Sequence, residues 1–235
     1  MPKNVSLRDA YTGVANCRTC YLRESVLFAG LEEQDFERIH HPIEQFLLPP
    51  ASVLYRAGDP AEYMYTVRSG LLKLVQYLPD GAQRIVRLVK ATDVTGLEGL
   101  VGEPYQHNAV ALQSTEICRL PVHVVERLSG DNPRLHRELL SRWQQALAEA
   151  DAWLTELSVG PAKQRIARLL LRLASDQDSG ECELFSREDL GAMLGITTET
   201  ASRTIAEFKR QSLLVETHAN RFLLDVPNLR RVAAD

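Results

Sequence analysis

From Leu27 to about Leu120 the apolar residues come in short β-branched or aromatic runs: Val53 to Tyr55, Met64 to Val67, Leu71 to Tyr77 and Arg84 to Leu88. Between them stand "AGDP", "RSG" and "PDG", the residues of tight turns. Gly58, Gly70 and Gly81 recur near the spacing of consecutive short strands, which predicts an antiparallel sandwich or roll instead of alternating βαβ units. The pattern changes at "VHVVERLSGDNPRLHRELLSRWQQALAEADAWLTELSVGP". Asp131 reads as a helix N-cap with Pro133 nearby, Gly160-Pro161 reads as a stop, and one long helix is predicted between them.

On that helix Leu139, Trp143, Ala146, Ala150, Trp153 and Leu157 fall at helical spacing, with Leu140, Leu147 and Leu154 beside them. Any amphipathic helix carries such a stripe. A helix that joins two domains, however, has two flanks to cover and little chain left to cover them, so the stripe predicts a homodimer seam.

The last third, "FSREDLGAMLGITTETASRTIAEFKRQSLLVETHANRFLLDV", opens with Ser186 as a cap and Asp189 at the box position, and breaks at Gly195. A second helix begins at Thr197 or Thr198 with Glu199 in its positive first turn and continues to Gln211. Two short helices joined by a glycine turn form a helix-turn-helix, and "SLLVE", "THAN" and "RFLLDV" add a hairpin wing. Ala201, Ile205 and Phe208 share one face of the second helix; Glu199, Ser202, Arg203, Ala206 and Arg210 share the other. In a major groove, Arg203 can grip guanine O6 and N7, Glu199 can accept from cytosine N4, and Ser202 can reach a base edge or phosphate, with Thr198 at the helix start beside them. Lys209, Arg210 and Arg221 are the candidates for phosphate contacts, with the acidic Glu207 and Glu216 beside them. A polar helix face is ordinarily just solvated; the cap, turn, docking face and wing around this one favour DNA.

Composition narrows the class. At 235 residues with 45% hydrophobic and 25% charged, the chain is globular and long enough for two modest domains. The net charge of -4 supplies no global basic field, so DNA contact depends on a local patch. Runs such as "RIARLLLRLA" are too short and too rich in arginine to span a bilayer, and "MPKNVSLRDAYTG" lacks a secretory apolar core, which predicts a cytoplasmic protein without membrane partners. In a reducing compartment Cys17, Cys20, Cys118 and Cys182 read as free thiols, metal ligands or redox groups before structural disulfides. No general base, paired catalytic carboxylates or phosphate-binding glycine loop stands in a convincing context, so no enzyme is expected.

A Gly-punctuated roll with "AGDPAEYMYTVRSG", a long interdomain helix and a C-terminal "GITTETASRTIAEF" resemble the CRP/FNR family of bacterial transcription regulators over nearly the whole chain. The resemblance implies an α+β fold: a cyclic-nucleotide-binding-type antiparallel β-roll, a long dimerisation helix and a winged helix-turn-helix. It divides the chain into an arm at 1–26, a roll at 27–130, a dimerisation helix at 131–159 and a DNA-binding domain at 160–235. Double-stranded DNA, RNA polymerase and a second copy of the chain are the implied partners. The Glu-x-x-Ser-Arg of Glu199, Ser202 and Arg203 is similar to the FNR branch, which reads TTGAT-like inverted repeats.

Three sensor chemistries follow from the family. Cyclic nucleotide binding needs an arginine for the phosphate; Gly96 and Glu98 are present, but "YQHN" stands where the family has Arg-Ser, so cAMP is not expected. The [4Fe–4S] cluster of FNR matches at Cys17, Cys20 and Cys118, but Ser25 or Val26 stands at the third arm position and the fourth ligand is unknown, with Glu24, His40 and His41 as substitutes. The same three thiols can instead bind zinc with a histidine, Cys17 and Cys20 can form a reversible disulfide, or the arm holds no cofactor at all. For haem, His40, His41, His107 and His123 are present without a pairing that speaks for an axial site, and a small organic effector in the roll stays open.

Overall fold

The computed structural model describes residues 7, 9–16, 20, 22, 42–175, 181–218 and 220–234. It separates into two units, one of Met1–Gln76 and Val86–Ala148, the other of Tyr77–Ile85 and Glu149–Asp235.

The first unit is built on β1 (Tyr11–Val14), β2 (Glu44–Leu48), β3 (Val53–Tyr55), β4 (Tyr63–Ser69), β5 (Leu71–Tyr77), β6 (Gln83–Lys90), β7 (Val94–Thr95), β8 (Asn108–Ala111) and β9 (Thr115–Pro121). Among the described residues one sheet runs β1-β2-β9-β4-β7 and the other β3-β8-β5-β6, in antiparallel pairs, as the turn spacing predicts. Residues Phe46, Leu48, Leu72, Leu74, Val89 and Ile117 form a shared core. Strand β9 alternates except at Ile117 and Cys118, which are both buried, whereas β4 is buried almost continuously along Met64–Val67. Such a run, apolar on both faces, belongs to a strand covered on both sides. Strand β1 brings part of the predicted arm into the sheet at its β2 edge.

The β4–β5 hairpin turns at Gly70, φ +87°. The Thr115 hydroxyl accepts from the Leu71 N–H at 3.1 Å, and a Cβ on Gly70 would run into the Ser114 carbonyl and Thr115. Both the left-handed backbone and the close approach require glycine.

Helix α1 (Val122–Asp131) buries Val122, Val124, Val125 and Leu128, and α2 (Pro133–Ala152) follows. Asp131 is not the cap of the long helix. It ends α1, and the Asn132 side chain accepts from the Arg134 and Leu135 amides at 2.9 and 3.2 Å. The predicted seam also divides. Leu139 packs into a core with Leu135, Met64, Leu97, Leu120 and Val125, and Trp153 and Leu157 are buried too, while Leu140, Trp143, Leu147 and Leu154 are exposed.

The second unit takes over within α2, whose last residues pass into a π-helical turn, Trp153–Leu157. Helix α3 (Ala162–Ser175), β10 (Glu181–Glu183), α4 (Arg187–Leu194), α5 (Thr198–Arg210), β11 (Leu214–His218), β12 (Arg221–Leu224) and α6 (Val226–Ala234) complete it. The wing is three-stranded among the described residues, in the order β10-β12-β11. Ile166, Leu169, Leu190, Ile205, Phe208, Phe222 and Leu229 are almost wholly buried, each worth about 1.5–3 kcal/mol if a large aliphatic or aromatic side chain.

Gly70→Ala is expected to cost about 1–3 kcal/mol, read as a lower denaturant midpoint with an unchanged slope.

Candidate nucleic-acid interface and sensor site

Local capping sets the helix-turn-helix. The Ser186 hydroxyl accepts from the Asp189 N–H at 3.0 Å and donates to the Asp189 carboxylate at 2.8 Å, starting α4. Gly195, φ +63°, closes it. A Cβ on Gly191 would stand 2.7 Å from the Ile196 carbonyl, so the turn needs a small residue inside α4 as well as at its end. The Thr197 hydroxyl then accepts from the Thr200 N–H at 3.1 Å and opens α5.

The two faces of α5 separate as the spacing predicts. Ala201, Thr204, Ile205 and Phe208 are buried; Thr198, Glu199, Ser202, Arg203, Ala206 and Arg210 are exposed. Thr204, absent from the sequence-based docking face, belongs to it. The exposed set presents a bidentate donor, a carboxylate acceptor and a hydroxyl within the first two turns, the chemistry that a major groove is read by.

The phosphate candidates are not equivalent. The Lys209 amine lies 2.7 Å from the Glu216 carboxylate and 4.7 Å from the centroid of Phe222, so it meets a phosphate only by leaving an acidic partner. Lys163 likewise holds Glu207 at 2.7 Å. Each lysine donates to its carboxylate and holds its pKa below the ordinary range. Arg210 and Arg221 stay exposed.

In the first unit, β9 places Cys118 in the interior beside β4, where the Arg68 guanidinium donates toward its sulfur at 3.9 Å. Arg68 also meets Glu116 at 3.3 Å. Burial raises the Cys118 thiol above its ordinary range against the pull of Arg68, and the nearby Cys20 thiol pushes it the same way. Burial works against the charge on Arg68, but Cys118, Glu116 and Cys20 together raise its pKa. Cys20 and Cys118 thus both act electrostatically on Arg68 although they stand far apart in sequence, a relation that no local pattern announces. Cys17, Glu24, Ser25, Val26, His40 and His41 lie outside the described residues. Among the described residues no three His, Cys, Asp or Glu side chains converge as a metal site. With Cys17 added, the donor set reaches three thiols, one short of the four thiolates that a [4Fe–4S] cluster takes from FNR-type sites. Cys182 is separate: burial in β10 pushes its thiol up to about 12, which leaves it inert.

Within the roll, Tyr105 stacks on Tyr55 at 3.8 Å between centroids, and Tyr55 on Tyr65 at 5.8 Å. The Tyr55 hydroxyl bonds to Thr95. Gly96, φ +84°, opens a short 3-10 segment, Leu97–Val101, that carries Glu98. His107 lies in the "YQHN" stretch that follows this segment. It is half-buried with a buried Nδ1 lacking a partner, and burial lowers its pKa, with Glu98 opposing and Arg87 adding to the shift. The "YQHN" stretch carries no guanidinium, so these four residues supply no fixed cation for a cyclic phosphate. His123 is exposed at the start of α1.

The sequence profile of the cyclic nucleotide-binding domain matches residues 46–132, and that of the Crp-like helix-turn-helix domain matches residues 164–232. The transcriptional regulatory protein Btr of Bordetella pertussis is 27% identical over 225 residues, covering 93% of both chains. The transcriptional activator protein Anr of Pseudomonas aeruginosa is 28% identical over 207 residues, covering 85% of both. The solved structure of FixK2 from Bradyrhizobium japonicum superposes with a TM-score of 0.75 at 27% identity, over 82% of this chain and 98% of that one. With a cyclic-nucleotide-type roll followed by a Crp-like reading head, and regulators matched along most of its length, the chain belongs to the CRP/FNR family of transcription regulators.

Proposed function

We propose that this regulator acts as a homodimer that reads an inverted repeat of the TTGAT type through Glu199, Ser202 and Arg203 of α5. The observation that carries the reading is the two-faced α5: one side buried to Phe208, the other offering base-reading groups to solvent. Arg203 pairs with a guanine edge, Glu199 with a cytosine amine, and Ser202 with a base or phosphate. Arg210 and Arg221 hold the backbone, and Thr198 and Lys209 are secondary contacts. Leu140, Trp143, Leu147 and Leu154 of the helical seam pack against the same residues of a second chain. RNA polymerase receives the output, and the protein works in the cytoplasm without catalysing a reaction. The domain limits follow the family division, with the roll up to residue 130, the dimerisation helix to 159 and the DNA-binding domain beyond.

The signal enters at Cys17, Cys20 and Cys118, as oxygen or redox chemistry of the thiols or of a metal bound by them. The Arg68 guanidinium directed at the Cys118 sulfur, with the Cys20 thiol acting on the same pair, supports this site over the tyrosine-filled roll interior. An absorbance spectrum and metal analysis after anaerobic purification, before and after air, identify the group: iron and labile sulfide lost together mean a cluster with a non-thiolate fourth ligand, and zinc alone means a metal-thiolate site. A metal-free protein that reads DNA identically in both states removes the arm as the sensor.

Three outcomes test the remainder. Arg203→Ala is expected to cost about 1–3 kcal/mol on the inverted repeat and to relax preference at a single base pair; an equal loss on all sequences in a competition gel shift would assign Arg203 to phosphate. Arg210→Gln should weaken all sequences alike and reduce the slope of log affinity against log salt by about one. Leu147→Asp should abolish the dimer in analytical ultracentrifugation together with palindrome binding, and a dimer that survives it places the seam elsewhere.

A further inference from the structure

The end of the long helix is an unusual place in this chain. After Ala152 it widens into the π turn of Trp153–Leu157, and the chain then turns through Ser158, Gly160 at φ +93° and Pro161. Proline has no N–H to offer, and a helix end leaves its last carbonyls without helical donors. The Arg168 guanidinium of α3 serves them. Its Nη1 donates to the Glu156 carbonyl at 3.1 Å and to the Val159 carbonyl at 2.9 Å. Its Nε donates to the Ala233 carbonyl at 3.0 Å, at the end of α6, and Nη2 reaches the Gln164 side chain at 3.3 Å. Two helix C-termini, each the negative end of its dipole, thus converge on one planar cation.

Helix α3 extends that hold to the reading head. Arg165 donates to the Leu194 carbonyl, at the end of α4, and Lys163 pairs with Glu207 on α5. Burial of Trp153 and Leu157 keeps the junction attached, but apolar contact is non-directional and leaves the twist about the helix axis loosely fixed. A fork bonded to three backbone carbonyls is directional. The Arg172–Glu156 pair nearby, at 3.6 Å and largely solvated, adds little.

We propose that Arg168 is a positioning residue for DNA recognition: its fork fixes the end of the interdomain helix against the winged helix-turn-helix, and so sets the spacing at which the two recognition helices of a dimer meet DNA. The inference rests on the dimeric, palindrome-reading function proposed above. Its signature is spacer discrimination, because each added base pair turns the second half-site by about one tenth of a helical turn.

The test uses full-length wild type, Arg168→Gln and Arg168→Lys on inverted repeats whose spacer is varied about the wild-type optimum, alongside ultracentrifugation and thermal unfolding. Wild type should prefer one spacer. Arg168→Gln should stay dimeric and folded while its preference for that spacer over neighbours one or two base pairs away falls by about tenfold. Arg168→Lys, with one point charge in place of the fork, should recover less than half of that loss on a logarithmic scale. Equal weakening at every spacer would make Arg168 merely structural, and undiminished discrimination in either variant would overturn the inference. Where Arg168→Gln fails to fold, Arg168→Lys decides between the same two outcomes. A wild type with no preference for any inverted repeat would instead overturn the dimeric reading itself, and this inference with it.

Discussion

A helix can read DNA only while its opposite side is held still, and the second unit is organised around that requirement. Helix α5 gives Ala201, Thr204, Ile205 and Phe208 to the core and keeps Glu199, Ser202 and Arg203 outside. Capping by Ser186 and Thr197 fixes where each helix starts, and the close approach of Gly191 to Ile196 fixes the turn between them. The polar face inherits its geometry from these contacts, since exposed side chains have little to hold them individually. The same division of labour runs along α2, where Leu135 and Leu139 belong to the chain's own core and Leu140, Trp143 and Leu147 are exposed.

What the sequence made legible was local. Strands between turn glycines, the Ser186 box, the Gly195 stop and the faces of α5 each depend on residues a few positions apart, and the structure places them where expected. The long-helix cap slipped by one residue because Asp131 and Asn132 are chemically similar caps and only packing assigns Asp131 to the end of α1. Strands β1, β2, β7, β8, β9 and β10 and helices α1 and α6 had no run of their own in the sequence reading, the strands because they are short and defined by pairing, α6 because it follows the wing without a marked cap. The stripe on α2 read as one seam because period alone cannot say which flank of a helix another part of the same chain will cover.

The sensor site shows the same boundary more sharply. Cys118 could be matched by position, but its burial and its place beside Arg68 come from β4 and β9 pairing in the sheet. The roll gives the complementary case. "YQHN" can be read along the chain as a stretch without arginine, yet the stacking of Tyr55, Tyr65 and Tyr105 through the interior had no sequence signal, because the three rings come from different strands and loops.

The ion pairs of Lys209 with Glu216 and of Lys163 with Glu207 bear on how such a protein finds its site in a genome. Binding to irrelevant DNA is driven by displaced counterions and grows with every unpaired cation near the groove. A reading head that occupies its lysines with its own carboxylates, in a chain of net charge -4, lingers less on the vast excess of wrong sequence. On the proposed reading its residence then rests on the base edges met by α5, and selectivity is gained by withholding attraction from every other stretch of duplex.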